Sequence, residues 1–421
     1  TTPYTYNGGN LLIGMENTEK GNDISSSFYG QNVTGAVAFG SNSTSLSAVT
    51  PNRNDFIPKT TFTYETPDPN AGLLTGRFSV SSTKQVRFSQ GNLQAYFASA
   101  GTSCTWRFAT NQYDYVGSAA ANVSINGNGS VSAAGAVDLF GWVGNSSTVL
   151  TGTPAKYGIS NSTTASDYGT STSDALKDDW GNLTITANGS ATNLGWRTLT
   201  SAEWVYLFNT RTSGSTVNGT SNARFTHATI NTDGMSVNGV ILFPDGVTIA
   251  NGEATSWGNV NSNSTWSGST KCTSAQWTAL AAKGCVFLPA AGRRRGATVY
   301  GLPSSEASVL FGYYWSSSPN ASDQTKADHM YFYSDRVYPG NTGVRYDCMS
   351  VRLVKDYIFT GLGTQASPYL IATTTDWDNL VSAVNGGETY SGKYFKMTAN
   401  VGTVSTWMTG TFSGTFDGDG K

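Results

Sequence analysis

The sequence predicts a β-rich α+β fold with two strongly capped helices and long polar loops, and three observations carry that prediction. Short apolar bursts recur between stretches rich in Gly, Ser, Thr and Asn, which is the pattern of strands joined by loops. Aromatic residues make up 12% of the chain, so a packed core is affordable despite 48 glycines. Two Thr-x-x-Glu/Gln boxes stand directly before a Trp, and each marks the start of a helix.

In chain order, residues 1–75 form an N-terminal β-rich segment. Its apolar bursts are Leu11-Leu12-Ile13, Ala36-Val37-Ala38-Phe39 and Thr61-Phe62-Thr63-Tyr64, and Thr66-Pro67-Asp68-Pro69-Asn70 reads as a linker. From Gly76 two or three strands follow, then a dense aromatic stretch. A long Ser/Thr/Asn/Gly region extends to about residue 190. It is punctuated by Asp138-Leu139-Phe140-Gly141-Trp142, Asp167-Tyr168-Gly169 and Asp179-Trp180-Gly181, so its loops are expected to be pinned to a core by their aromatics. The capping boxes are Thr200/Glu203 and Thr273/Gln276, with Trp204–Leu207 and Trp277–Leu280 on the apolar faces. Gly239–Pro244 and Cys285–Pro289 read as buried strands. After Asp356 a new unit opens, with a strand at Ser367–Ile371. A helix then runs from Thr375 to about Val384, closed by Gly386-Gly387, and strands follow at Lys393–Thr398 and Gly410–Phe416.

The candidate functional element is Gly312–Lys355, read as two strands joined by a turn. Met330, Phe332 and Ser334 alternate with His329, Tyr331, Tyr333 and Asp335. Pro339-Gly340-Asn341-Thr342-Gly343 has the composition of a reversal. Met349, Val351 and Leu353 alternate in turn with Ser350 and Arg352. One face is therefore expected to be apolar and buried. The other is expected to display His329, Tyr331, Tyr333, Asp335, Arg336, Tyr338, Asn341, Thr342, Arg345, Tyr346 and Asp347 as ligand-binding residues. Tyrosine gives contact area at low entropy cost, and charged groups give orientation.

GWRTLTSAEWVYL, GVILFPD, VFLPAAGRR, GYYWSSS and MSVRLVK, in this order, resemble the C-type lectin-like domain of bacterial surface proteins, which is related to the formylglycine-generating-enzyme family. The same fold carries the target proteins of diversity-generating retroelements, whose hypervariable residues lie in the final hairpin. The resemblance covers residues 76–356 and implies a C-type lectin-like fold with a diversified binding face. SPYLIATTTDWDNLVSAVNGG, with YFKMTANV and FSGTFDGDGK after it, resembles the cap and first turn of a right-handed β-helix repeat domain of bacterial adhesins, over 357–421.

Function classes narrow accordingly. Charged residues are 12% of the chain and the formal net charge is -2, which is not the balance of a nucleic-acid binder. No signal peptide, lipid-attachment cysteine or transmembrane run is read, and the chain is expected to be a mature or truncated fragment. Cys104, Cys272, Cys285 and Cys348 are expected to be free, mostly buried thiols. The enzyme relatives have a close pair of reactive cysteines near the end of the domain, where this chain has Cys348 alone, so no catalysis and no cofactor are expected. His227 and His329 lack metal-ligand spacing, and no metal site is expected. Asp417-Gly418-Asp419-Gly420 reads as a turn, and Arg293-Arg294-Arg295 as a solvated loop anchor. The resulting expectation is a secreted or surface-attached bacterial adhesin that binds a protein or glycan ligand. Self-association through the N-terminal segment is a further expectation. The alternatives are a formylglycine-generating-type oxidase relative and a structural subunit of a surface appendage.

Overall fold

The computed structural model describes residues 30–39, 52–58 and 71–421, apart from 83, 188–189, 193–194, 233, 303–309, 362, 386–388 and 405–406. Leu11–Ile13, Thr61–Tyr64, the linker at 66–70 and the Gly386-Gly387 stop lie outside the described residues. The chain divides into two compact units, Thr1–Thr66 and Pro67–Lys421. The first contains an antiparallel pair, β1 (Gly30–Phe39) and β2 (Asn52–Pro58), with Ala36–Phe39 inside β1 as expected. The expected boundary at residue 75 moves forward: Ala71 is buried in the main core of the second unit and Leu73 packs against it.

The protein is β-rich with few helices, the coarse class that composition predicts. The second unit opens with β3 (Phe78–Ser79), β4 (Gln85–Phe88), β5 (Leu93–Phe97) and β6 (Thr105–Phe108). A single turn, α1 (Ala120–Val123), and β7 (Gly135–Val137) follow. The polar loop region then runs to β8 (Ile185–Ala187), β9 (Ser190–Thr192) and β10 (Trp196–Arg197). Its aromatics hold it down as anticipated. Trp142, Tyr168 and Trp180 are all fully buried, and the two indole N–H groups donate to the carbonyls of Ser316 and Tyr157 at 2.9 Å each.

Both capping boxes form. In α2 (Ser201–Val205) Thr200 Oγ1 accepts from the Glu203 N–H and the Glu203 carboxylate accepts from the Thr200 N–H. Arg197 clamps the same carboxylate at 2.7 Å and reaches Asp356 at 2.6 Å, tying the helix start to the end of the domain. The helix widens into a π turn over Tyr206–Thr210. Next come β11 (Ser215–Val217), β12 (Thr220–Ala223), β13 (Phe225–Thr232), β14 (Met235–Leu242), β15 (Thr248–Ile249) and β16 (Thr270–Thr273). The second box opens α3 (Ser274–Ala282), where Thr273 and Gln276 cap one another at 3.2 and 3.0 Å. Thr273→Ala removes one of these partners and is expected to cost about 1 kcal/mol. The check is a lowered urea midpoint at unchanged slope.

β17 (Val286–Pro289) completes a four-stranded sheet of order β16-β13-β14-β17. Its apolar runs are continuous because both faces are buried. Val240, Leu242, Val286 and Leu288 face one core, while Ile241, Phe243, Cys285 and Phe287 face another. The chain continues through β18 (Arg293–Arg295), β19 (Thr298–Tyr300), β20 (Gly312–Pro319), β21 (Lys326–Phe332), β22 (Val337–Val344) and β23 (Val354–Tyr357). β23 pairs with β4 and β10, so the last strand of this region lies against its first strands. Residues 357–421 add β24 (Tyr369–Ile371), α4 (Thr374–Asn385), β25 (Tyr394–Met397) and β26 (Thr415–Asp417). The three strands run parallel and pack over a separate core of Phe359, Ile371, Leu380 and Phe395. The strand expected at Gly410–Phe416 is limited to β26.

Candidate functional site

The sheet β20-β21-β22 holds the expected binding element, and its geometry differs from the expectation in three respects. The reversal lies at Tyr333–Arg336, closed by Tyr333 N–H donating to the Arg336 carbonyl at 2.9 Å, not at Pro339–Gly343. Those residues belong to β22, where Asn341, Thr342 and Gly343 pair with His329, Asp328 and Ala327. The register slips between His329 and Tyr331, and Pro339-Gly340 fills the slip as a bulge, where a missing N–H costs no ladder bond. The glycines serve close approaches. A Cβ on Gly340 would meet Val205 at 2.8 Å, and one on Gly343 would meet His329 and Met349 at 3.0 Å.

The return segment 349–353 is not a hairpin strand with one polar face. It threads between elements: Met349 exchanges backbone bonds with Phe140, Ser350 bonds Tyr313 and Trp315, and Val351 accepts from Leu93. Ser350 and Arg352 are consequently buried, and Arg352 spends its guanidinium on Gln112 and Asn92.

Both faces of β20 and β21 are covered in part. Tyr314, Met330 and Phe332 enter one core, and Trp315, Ala327 and Met349 the other. Three of the expected display residues are therefore interior. His329 is 3% exposed, with its ring against Tyr313 and Trp315, and burial pushes its pKa down to about 4. Arg345 is fully buried on Asp174, and Asp347 is buried beneath Arg293 and Arg295, which hold it at 2.8 and 2.7 Å. That pairing also corrects the reading of the arginine run: it is a strand whose middle member, Arg294, is fully buried.

The remaining residues do come together. Tyr331 and Tyr338 stack at 4.7 Å with planes 28° apart, and Tyr313 stacks on the other side of Tyr331 at 5.1 Å and 13°. Tyr333 meets Tyr331 edge-on at 5.2 Å and shares a hydroxyl contact of 2.9 Å with Tyr313. At the reversal Arg336 forks onto Asp335 at 2.9 and 2.7 Å and reaches the Tyr338 hydroxyl at 3.4 Å. The fork holds the Asp335 carboxyl below its ordinary range. Arg336, Tyr338 and Thr342 are exposed, while Tyr331, Tyr333, Asp335 and Asn341 are half-buried. Tyr346 stands apart, with the Arg295 guanidinium over its ring at 5.4 Å. Tyr313 was missed by the sequence reading, although the alternation of Tyr313-Tyr314-Trp315 places it on the Tyr331 face.

The thiols are free, as expected. Burial pushes Cys104 up to about 11 and Cys272 up to about 12, and raises Cys285 and Cys348 as well. His227 is buried, and its Nε2 lies 3.0 Å from the Tyr333 carbonyl. Among the described residues no group of three or more His, Cys, Asp and Glu is placed to hold a metal, and no helix is long and apolar enough to cross a membrane. No family model matches this chain, and no curated protein or solved structure matches it either.

Proposed function

We propose that the protein is a non-catalytic ligand-binding module of the bacterial cell surface, built on a C-type lectin-like domain and followed by the opening of an adhesin-type β-helix. The observation that carries this reading is the Tyr313–Tyr331–Tyr338 stack, which ends at the exposed Tyr338 beside the Arg336–Asp335 fork. A rigid ladder of aromatic rings offers contact area that is already ordered, so little entropy is lost on binding. The ligand is a protein or glycan of another cell or host surface. The contact residues are Tyr331, Tyr333, Asp335, Arg336, Tyr338, Asn341 and Thr342, with Tyr346 at the margin. Diversification by a retroelement belongs to the same proposal for the exposed positions Arg336, Tyr338 and Thr342, whereas Tyr331 and Tyr333 also pack against the main core. The thiols support the non-catalytic reading: burial raises all four, the opposite of what a nucleophile or copper ligand needs. The parallel register Tyr369–Phe395–Phe416 supports the β-helix reading.

The test is a protein and glycan array probed with wild type and with Tyr331→Ala/Tyr338→Ala. Loss of two stacked contact rings is expected to weaken binding about 30-fold or more, as central aromatic contacts do. Unchanged affinity of the double variant for every captured ligand would remove this face as the site.

A further inference from the structure

A cleft of about 470 Å³ lies between the β11–β12 turn and the loop that leads into β16; the next residue of that loop, Asn263, accepts from the Val337 N–H of β22. We infer that it binds one neutral sugar unit, stacked on Trp257 and held by Asn218, Thr220, Asn259 and Ser262. The volume lies within the range of small-molecule sites, and no charged side chain lines it.

The walls are built, not loose. Asn218 and Gly219 both have positive φ, +46° and +80°, as the two-residue reversal between β11 and β12 requires. The Asn218 N–H donates to the Ile249 carbonyl at 3.0 Å, which fixes this wall against β15. The opposite loop is tied at several points. The Gly258 N–H donates to Thr270 Oγ1 and Thr226 Oγ1 donates to the Asn259 carbonyl, each at 3.0 Å. Asn261 spans the gap between the walls: its side chain accepts from the Arg224 N–H and donates to the Asn222 carbonyl. Gly258 lies so close to β16 that a Cβ would meet the Gly268 carbonyl and the Thr270 nitrogen at 2.8 Å. Trp257 cannot swing, because its indole N–H donates to the Asn251 carbonyl at 2.8 Å and its ring packs on Phe243.

The lining chemistry selects the ligand class. Trp257 is half-buried and offers an apolar face, whereas Asn218, Thr220, Asn259 and Ser262 are exposed. Among the described residues, the side chains of Asn218, Thr220 and Asn259 make no hydrogen bond. Amides and hydroxyls donate and accept at once, as sugar hydroxyls do, and a sugar's C–H face covers an indole ring. A phosphate or carboxylate would find no cation here. A flat aromatic ligand would cover Trp257 and leave the amides without complementary groups.

The experiment is saturation-transfer NMR and calorimetric titration of the full chain. The probes are a panel of neutral monosaccharides (hexoses, a pentose, N-acetylhexosamines), with a sugar phosphate, a sialic acid and indole as competitors. At least one neutral sugar is expected to bind, and Trp257→Ala and Asn259→Ala are each expected to weaken it about tenfold or more. Tyr331→Ala/Tyr338→Ala separates the two sites: a sugar whose binding that variant abolishes and Asn259→Ala spares sits on the tyrosine face, and that outcome overturns the inference. Because Trp257 also packs on the core, the deciding variant is Asn259→Ala, whose side chain supports nothing else. The inference is overturned if no neutral sugar binds at millimolar concentration, if a charged sugar or indole is preferred, or if Asn259→Ala binds as wild type does.

Discussion

Asp174→Ala is expected to destabilise the protein by about 3–5 kcal/mol, the cost of leaving a buried charge without its partner. Arg345 Nη1 lies 2.6 Å from Asp174 Oδ2, and the two side chains are 0% and 1% exposed. The guanidinium also donates to the carbonyls of Ser171 and Lys326 and lies over the Trp142 ring at 4.7 Å. Asp174 accepts from both the N–H and the hydroxyl of Ser146. Removing the carboxylate strands Arg345 among groups that cannot neutralise it. The paired variant Asp174→Leu/Arg345→Met removes both charges and is expected to lose much less. Burial raises the Asp174 carboxyl, but the bonds from Arg345 and Ser146 outweigh it and hold the pKa below its ordinary value. The stabilisation is therefore present above the unfolded carboxylate range and lost as pH falls through the folded value. Denaturant unfolding of the two single variants and the double variant gives the coupling directly. A single-variant loss under about 1 kcal/mol would mean that the pair behaves as a solvated one.

The second large effect runs the other way with pH. Asp138 is fully buried, and burial pushes its carboxyl from an ordinary 3.8 up to about 7, against the pull of bonds from the Val116 N–H and Asn122 and of the nearby Arg294 charge. Between those two values the folded chain holds a proton that the unfolded chain has released. Stability from this group is complete below the lower value, declines as pH rises, and levels off above about 7. The span corresponds to a loss on the order of 4 kcal/mol. Asp138→Asn keeps an acceptor for one of the two bonds and cannot ionise. The stability difference between the variant and wild type is therefore expected to shift toward the variant by that amount from pH 4 to 8. A difference that stays flat across this range would rule the assignment out.

The first prediction rests on a pairing that no local pattern announces, and the arginine run holds a second one. Arg345 and Asp174 are 171 residues apart, and Asp347 meets Arg293 and Arg295 more than 50 residues away. A charged residue beside a strand reads as solvated until its partner is known, so Arg345 and Asp347 were expected on the binding face. His329 was misread for a related reason. Alternation separates two faces of a strand, but it does not say whether the polar-looking face meets water or a second core. Here it meets the ring of Trp315. Tyr331 and Tyr338, in contrast, do come together, and the bulge at Pro339-Gly340 is what sets them ring against ring.

By itself the sequence determined whatever depends on neighbours a few residues away. Both capping boxes, the buried runs of β14 and β17, and the aromatic anchors of the polar loops follow from hydrogen-bonding and burial demands that are met locally or by any apolar surface. Only the tertiary structure decided where the chain reverses and which polar groups are interior. Pro, Gly, Asn and Thr suit a turn, a bulge and a close approach equally well, and the choice among them is made by what packs on the other side: Val205 over Gly340, and His329 and Met349 over Gly343.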